Sequence, residues 1–222
     1  MDSSCDFKDV KVEYFGLNGR AAVIRALLYW KQVPFTDVKH TFEDWAKLKK
    51  SGDYEFEQLP SLECCGKRYA QSGSIILFLA RKMNLLGSTP DEEYLQTSQL
   101  YSLEDLIPKY GPAYFAWLAG GEANMEIKRK EFDEVFAPFY LKIQENRFKK
   151  YGGKYAVGDS FSLSDVILTV MLTTIFKSPS KVEIMEPMLN EFAPTLAKHI
   201  ANIAKNELAE YFAKGFIEQA PL

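Results

Sequence analysis

The sequence predicts two structural classes in one chain, a mixed α/β first part and an all-helical second part. Three observations carry this. Strand and helix patterns alternate as far as residue 86, the last two strands of that part turn about a single glycine, and no convincing strand pattern follows Pro90. Gly87 to Pro90 punctuates the change, so the domains are set at residues 1–86 and 92–222, with 87–91 as the linker.

Each element follows from its local pattern. Lys11 to Phe15 reads as a short strand, Gly16 and Gly19 break it, and Ala21 to Lys31 carries apolar residues at helical spacing through Val23, Leu27 and Trp30. Pro34 is expected to end that helix, and Phe35 to His40 alternates as a second strand. Glu43 to Ser51 reads as a short irregular helix, and the polar stretch Gly52 to Gln58 as a surface loop. Ser61 to Cys65 and Lys67 to Ala70 form a hairpin about Gly66, and Ser72 opens a helix through Leu85. The order βαβ, short helix, ββα ends in an antiparallel pair, so the four-stranded sheet is mixed, as in thioredoxin-like folds.

In the second part the periodicity predicts helices near 91–118, 123–150, 164–177, 181–190 and 194–205, with a last short one around 207–214. Pro138 should kink or divide the second of these. Ser162-Leu163-Ser164-Asp165, ahead of the apolar run Val166 to Leu172, fits a capping box, which is a folding signal.

Composition narrows the function classes. With 222 residues, 47% hydrophobic and 26% charged, the chain has the proportions of a soluble globular protein. No apolar run approaches the roughly 20 residues that cross a bilayer, and Met1 to Val10 holds three aspartates and no apolar core, so no membrane association and a cytoplasmic location are expected. A net charge of −3 argues against a nucleic-acid partner. Cys5, Cys64 and Cys65 lack metal-ligand spacing, and an oxidised adjacent pair would be a strained ring, so all three read as reduced thiols. His40 and His199 stand far apart without a metal pattern, and no metal is expected.

Tyr14-Phe15, Gly19-Arg20-Ala21, Ile24-Arg25, Trp45 with Lys49, Gln58-Leu59-Pro60, Gln71-Ser72 and Ser162 through Asp165 occur in an order and spacing that, across nearly the whole chain, resembles the cytosolic glutathione transferases of the tyrosine type. Among their classes the sequence most resembles sigma, with alpha, mu and pi as relatives. The resemblance implies glutathione as co-substrate, a homodimer, and conjugation of the glutathione thiolate to apolar electrophiles. It also admits a glutathione-dependent prostaglandin D synthase, isomerase or peroxidase. A noncatalytic ligand-binding or crystallin-like protein on the same scaffold is the alternative from another class.

The resemblance assigns the site residue by residue. Tyr14, at the end of the first strand, would hold the glutathione sulfur as a thiolate; taken alone it is half-buried strand packing. Arg20 would steady the thiolate region, or serve only as a helix-start arginine in a surface ion pair. Leu59-Pro60 is expected to carry a cis peptide that presents the Leu59 backbone to the cysteinyl part, as an added strand would be. Gln71 and Ser72 stand at a helix start, which favours the γ-glutamyl carboxylate, although Ser72 equally reads as a plain N-cap. Gln58 would add a hydrogen bond, and Trp45 and Lys49 would hold the glycine end, Lys49 lying in a run that also reads as a solvated face. Asp105, beside Glu104, would reach across the dimer to the glutamyl ammonium; without the resemblance it is half of a solvated acidic pair.

The electrophile is expected in an apolar pocket drawn from Phe15, Leu17, Tyr110, Tyr114 and Phe115, although aromatics at helical spacing are commonly core. No Cys-x-x-Cys lies near the first helix, so a dithiol cycle of the thioredoxin or glutaredoxin kind is unsupported. Gly16-Leu17-Asn18 and Glu57-Gln58 depart from the loops common among the relatives, and both flank the site.

Overall fold

The computed structural model describes residues 6–118, 123–177 and 182–215, without the side chains of 114–118, 123–126 and 184. Its described residues fall into two compact units, one running to Leu85 and resuming at Lys205, the other spanning Leu86 to Ala204. The sheet is in the first unit. Its strands are β1 (Val10–Phe15), β2 (Phe35–His40), β3 (Ser61–Cys64) and β4 (Lys67–Tyr69), in the order β2-β1-β3-β4. β1 runs parallel to β2 and antiparallel to β3, and β3 and β4 form the antiparallel hairpin, which is the mixed four-stranded sheet expected.

A single 3-10 turn at Gly19–Ala21 leads into α1 (Ala22–Trp30), which packs against α3 (Ser72–Lys82). Val10, Val12, Leu27, Leu62, Ile75 and Leu79 are buried in this core, and each fully buried aliphatic side chain contributes roughly 2 kcal/mol. α1 ends at Trp30 with Lys31 as its cap, within one residue of the Ala21 to Lys31 expected. The Val33 N–H bonds the Leu28 carbonyl and the Gln32 N–H the Tyr29 carbonyl, with Gln32 at φ +54°. That left-handed cap satisfies the last carbonyls, and Pro34 follows it. The same device ends α3 three residues early, with Asn84 at φ +57° and the Leu85 N–H on the Ala80 carbonyl.

Side chains alternate across β1, so Tyr14 and Glu13 take opposite faces. The Tyr14 ring lies 5.9 Å from the Arg25 guanidinium of α1, while Phe15 stacks on Phe42 of α2 (Phe42–Leu48) with centroids 4.5 Å apart. The last helix, α10 (Ala209–Ala213), packs on α1, and the Tyr211 hydroxyl reaches Asn18 at 3.2 Å. The sequence reading placed this stretch with the all-helical part; its residues cluster with the sheet instead. Cys64 is a buried free thiol, but Cys65 is disulfide-bonded, which corrects the expectation of three reduced thiols.

The second unit holds α4 (Pro90–Leu118), α5 (Ala123–Glu131), α6 (Ala137–Tyr151), α7 (Leu163–Phe176), α8 (Val182–Phe192) and α9 (Pro194–Lys205). The predicted division at Pro138 is present. A π-helical turn over Phe132–Phe136 separates α5 from α6 just ahead of the proline, whose missing N–H and ring disfavour an unbroken ladder there. α7 is buried on nearly every side and forms the core of the unit. Its capping box is formed, with Asp165 accepting the Ser162 N–H at 3.0 Å and also taking the Ala156 N–H at 2.7 Å and His199 Nε2 at 2.8 Å. A satisfied polar chain ties α4 to α6: Gln99 donates to Gln144 at 3.0 Å, Gln144 to Ser102 at 2.8 Å, and Arg147 to Gln99 at 3.1 Å.

Candidate functional site

Tyr14 ends up at 8% exposure near the C-terminal end of β1, with its hydroxyl accepting the Arg20 N–H at 3.2 Å. This approach needs Gly19, which sits at φ +39°. A Cβ there would lie 2.6 Å from Leu17 Cδ1 and 2.7 Å from the Tyr14 oxygen. Burial pushes the Tyr14 hydroxyl above its ordinary pKa, against the opposing pull of the Arg20 N–H and the charges of Arg20 and Arg25. At neutral pH it therefore remains a phenol with a proton to donate.

Arg20 is half-buried at the turn between β1 and α1. Its Nη1 donates to the Ser72 hydroxyl at 3.4 Å, linking the β1 turn to the start of α3. Ser72 is buried and is the first helical residue, not the N-cap. Gln71 holds the cap position at φ +66°, and its side-chain nitrogen donates to Gln58 Oε1 at 3.0 Å. The Leu59-Pro60 peptide is cis. Hydrogen bonds thus link Tyr14 to Arg20 and Arg20 to Ser72, and the residue before Ser72, Gln71, bonds Gln58, which immediately precedes Leu59 and the cis peptide.

Trp45 and Lys49 lie on and just after α2, both half-buried, and the Lys49 N–H closes the helix on the Trp45 carbonyl at 2.9 Å. The Trp45 ring packs edge-on against Tyr54. Of the residues expected in an electrophile pocket, Phe15 is half-buried in its stack with Phe42, and Leu17 is half-buried beside Gly19. Tyr110 belongs to α4, where its ring lies 5.5 Å from that of Phe132. The side chains of Tyr114 and Phe115 lie outside the described residues. Asp105 is an exposed residue of α4.

Two residues near Tyr14 carried no role in the sequence reading. Arg25 is 1% exposed, pairs with Asp37 at 3.0 Å, and donates to the carbonyls of Leu17 at 2.7 Å and Phe15 at 3.4 Å. It pins the turn that follows Tyr14. Glu13 is 3% exposed and gathers His40, Arg68 and Lys11 on the opposite sheet face. Beyond Arg25's place in the Ile24-Arg25 motif, the sequence signal for both was a charge inside an apolar pattern, which says that a partner exists but not which one. Among the described residues no group of His, Cys, Asp and Glu could hold a metal ion.

The first unit thus carries a mixed four-stranded sheet with a buried phenol near the end of its first strand, a cis-proline turn and a helix start. Comparisons with known proteins identify the family. Residues 105–215 match the family model described as the glutathione S-transferase C-terminal domain. The chain is 31% identical over 185 residues to Glutathione S-transferase 4 of Caenorhabditis elegans, covering 82% of this chain and 87% of that one. It is 30% identical to the hematopoietic prostaglandin D synthase of Gallus gallus, over 74% and 78% of the two chains. Among solved structures, the monomeric glutathione S-transferase Na-GST-3 of Necator americanus aligns with a TM-score of 0.79 at 26% identity, over 96% and 100% of the chains. A Fasciola hepatica sigma class enzyme aligns at 0.71 and 30% identity, over 96% and 99%. The chain belongs to the glutathione S-transferase family.

Proposed function

We propose that this protein is a glutathione transferase that binds glutathione on its first unit and conjugates the thiolate to electrophilic, largely apolar substrates. The observation that carries the reading is the buried, protonated Tyr14 hydroxyl, oriented by the Arg20 N–H at 3.2 Å. A free thiol ionises near pKa ~8.5, and a hydrogen bond to the charged form stabilises it by about 1.5–3 kcal/mol, which corresponds to roughly one to two pKa units. One phenol therefore brings much of the sulfur to the thiolate at neutral pH.

The rest of the binding set follows the same logic. Ser72 and the free amides at the start of α3 favour the γ-glutamyl carboxylate. The Leu59 backbone beside the cis Pro60 pairs with the cysteinyl part, Gln58 and Gln71 flank it, and Trp45 and Lys49 take the glycine end. Phe15 and Leu17 are the proposed apolar contacts of the electrophile from this unit. Retention on immobilised glutathione, followed by a conjugation assay on the eluted protein, tests site and chemistry together; retention without turnover on a broad panel of electrophiles would favour the noncatalytic alternative.

A role in detoxification in the cytoplasm and a sigma-like class belong to the same proposal, the class resting on the Fasciola hepatica likeness. The likeness to the Gallus gallus synthase supports a second activity, isomerisation of a prostaglandin endoperoxide by the same thiolate, which product analysis separates from conjugation. We also propose a homodimer in which Asp105 reaches the glutamyl ammonium on the partner. The exposed Phe56 and the exposed Tyr94 and Tyr101 of α4 support it. Because the Necator americanus likeness is to a monomeric protein, sizing of the purified chain is the test, and a monomer would remove that role from Asp105.

A further inference from the structure

A carboxylate as buried as Glu13 is costly unless its oxygens are fully partnered. Four side chains supply the partners. His40 Nε2 lies 2.8 Å from Oε2, and the Tyr54 hydroxyl donates to the same oxygen at 2.8 Å. Arg68 donates to Oε1 at 3.0 Å, and the Lys11 ammonium lies 3.2 Å from it. These partners come from the end of β2, the loop after α2, β4 and β1 itself.

Two of them bracket the segment assigned to glutathione. His40 is the last residue of β2 before α2, and Tyr54 follows α2 on the way to Gln58. α2 buries no residue of its own, so apolar packing contributes little to holding it. What the Trp45 ring does meet is this cluster: its centroid lies 4.8 Å from that of Tyr54, edge-on, and 6.4 Å from that of His40. The Arg68 guanidinium lies 4.5 Å over the same Tyr54 ring, and the Tyr54 carbonyl takes the Glu57 N–H at 2.9 Å, next to Gln58.

We propose that Glu13 is a positioning residue for the glutathione site, deepening the reading above and resting on it. It touches no ligand. Through His40 and Tyr54 it holds both ends of the segment from Thr41 to Gln58, and so keeps Trp45, Lys49 and Gln58 where the glycine end and the backbone of glutathione meet them. The assignment separates two carboxyl-terminal faces of one strand: Tyr14 acts on the sulfur, and its neighbour Glu13, from the other side of the sheet, acts on binding.

The test compares Glu13→Gln with a matched buried acid, Glu145→Gln. Glu145 is equally buried, and in the second unit it accepts the N–H groups of Thr195 and Leu196 at 3.2 and 2.9 Å. Glu13→Gln should raise the KM for glutathione about tenfold and leave kcat within about twofold. Amide hydrogen exchange between residues 42 and 58 should quicken. Glu145→Gln should lower the melting temperature without changing either readout. If Glu13→Gln does not fold, Tyr54→Phe removes one arm of the cluster and should shift KM and exchange in the same direction by about threefold. An unchanged KM in the folded variant, or an equal shift in Glu145→Gln, overturns the proposal. Should the wild-type protein bind no glutathione, the functional reading fails separately, and the exchange rates of residues 42–58 still decide whether Glu13 holds this segment.

Discussion

Replacing Tyr14 by Phe removes one oxygen and leaves the ring in its packing against the turn at Gly19. The lost partner for the protein is the Arg20 N–H, whose 3.2 Å bond is long, so the stability cost should stay near about 1 kcal/mol. The effect on the bound thiol is larger. Loss of a hydrogen bond to a charged sulfur removes about 1.5–3 kcal/mol and should raise the thiol pKa by roughly one to two units. Turnover at neutral pH should then fall by about eightfold to twenty-five-fold, since rate follows the thiolate fraction, while glutathione is still bound through Ser72, Gln71 and the Leu59 backbone. The assay is the pH profile of kcat, together with the ultraviolet absorbance of the bound thiolate. The deficit should shrink as pH rises above the ordinary thiol pKa of ~8.5, where the sulfur ionises without help. Turnover equal to wild type at neutral pH, or a deficit that stays the same at every pH, would refute thiolate stabilisation by Tyr14.

Three further outcomes follow from the same geometry. Burial alone would raise the pKa of Glu13, but bonds from His40, Tyr54 and Lys11 and the charge of Arg68 hold it down to about 2 from 4.5. A depressed acid contributes stability that is present above 4.5 and is lost as pH falls toward 2. The wild-type advantage over Glu13→Gln in urea melts should therefore be up to about 3 kcal/mol at pH ~7 and shrink steadily below pH ~4.5, and a difference independent of pH would contradict it. Gly19→Ala places a Cβ against Leu17 and the Tyr14 oxygen at a positive φ, so it should cost about 1–3 kcal/mol in stability and displace the hydroxyl, lowering kcat. A wild-type kcat in that variant would show that the turn tolerates the methyl. Arg25→Met takes from Asp37 its 3.0 Å partner, leaving Lys39 at 4.0 Å, and removes the guanidinium from two carbonyls of the Tyr14 turn, at a cost of about 3 kcal/mol by denaturant titration, and a loss under about 1 kcal/mol would mean that water replaces the guanidinium.

What the sequence determined by itself was whatever is written in neighbouring residues. Alternation located β2 at Phe35–His40, helical spacing located α9 at Pro194–Lys205, and the missing N–H of Pro138 located the break between α5 and α6, because each signal is a property of a few consecutive side chains. The ordered set of short motifs singled out Tyr14, Gln58, Gln71 and Ser72, and the structure pairs Gln58 with Gln71 and links Tyr14 to Ser72 through Arg20. Finer local chemistry was already less legible: Gln32 and Asn84 close α1 and α3 in left-handed caps that a non-glycine sequence does not advertise, and Gln71 takes the cap that Ser72 seemed suited to. Only the tertiary structure decided the partners. Glu13 is satisfied by residues 11, 40, 54 and 68, Arg25 by Asp37 and two carbonyls, and α10 belongs with α1 at the other end of the chain. A buried charge must be paired wherever it lies, but which groups meet it is set by strand register and chain return, and neither is a property of the residues beside it.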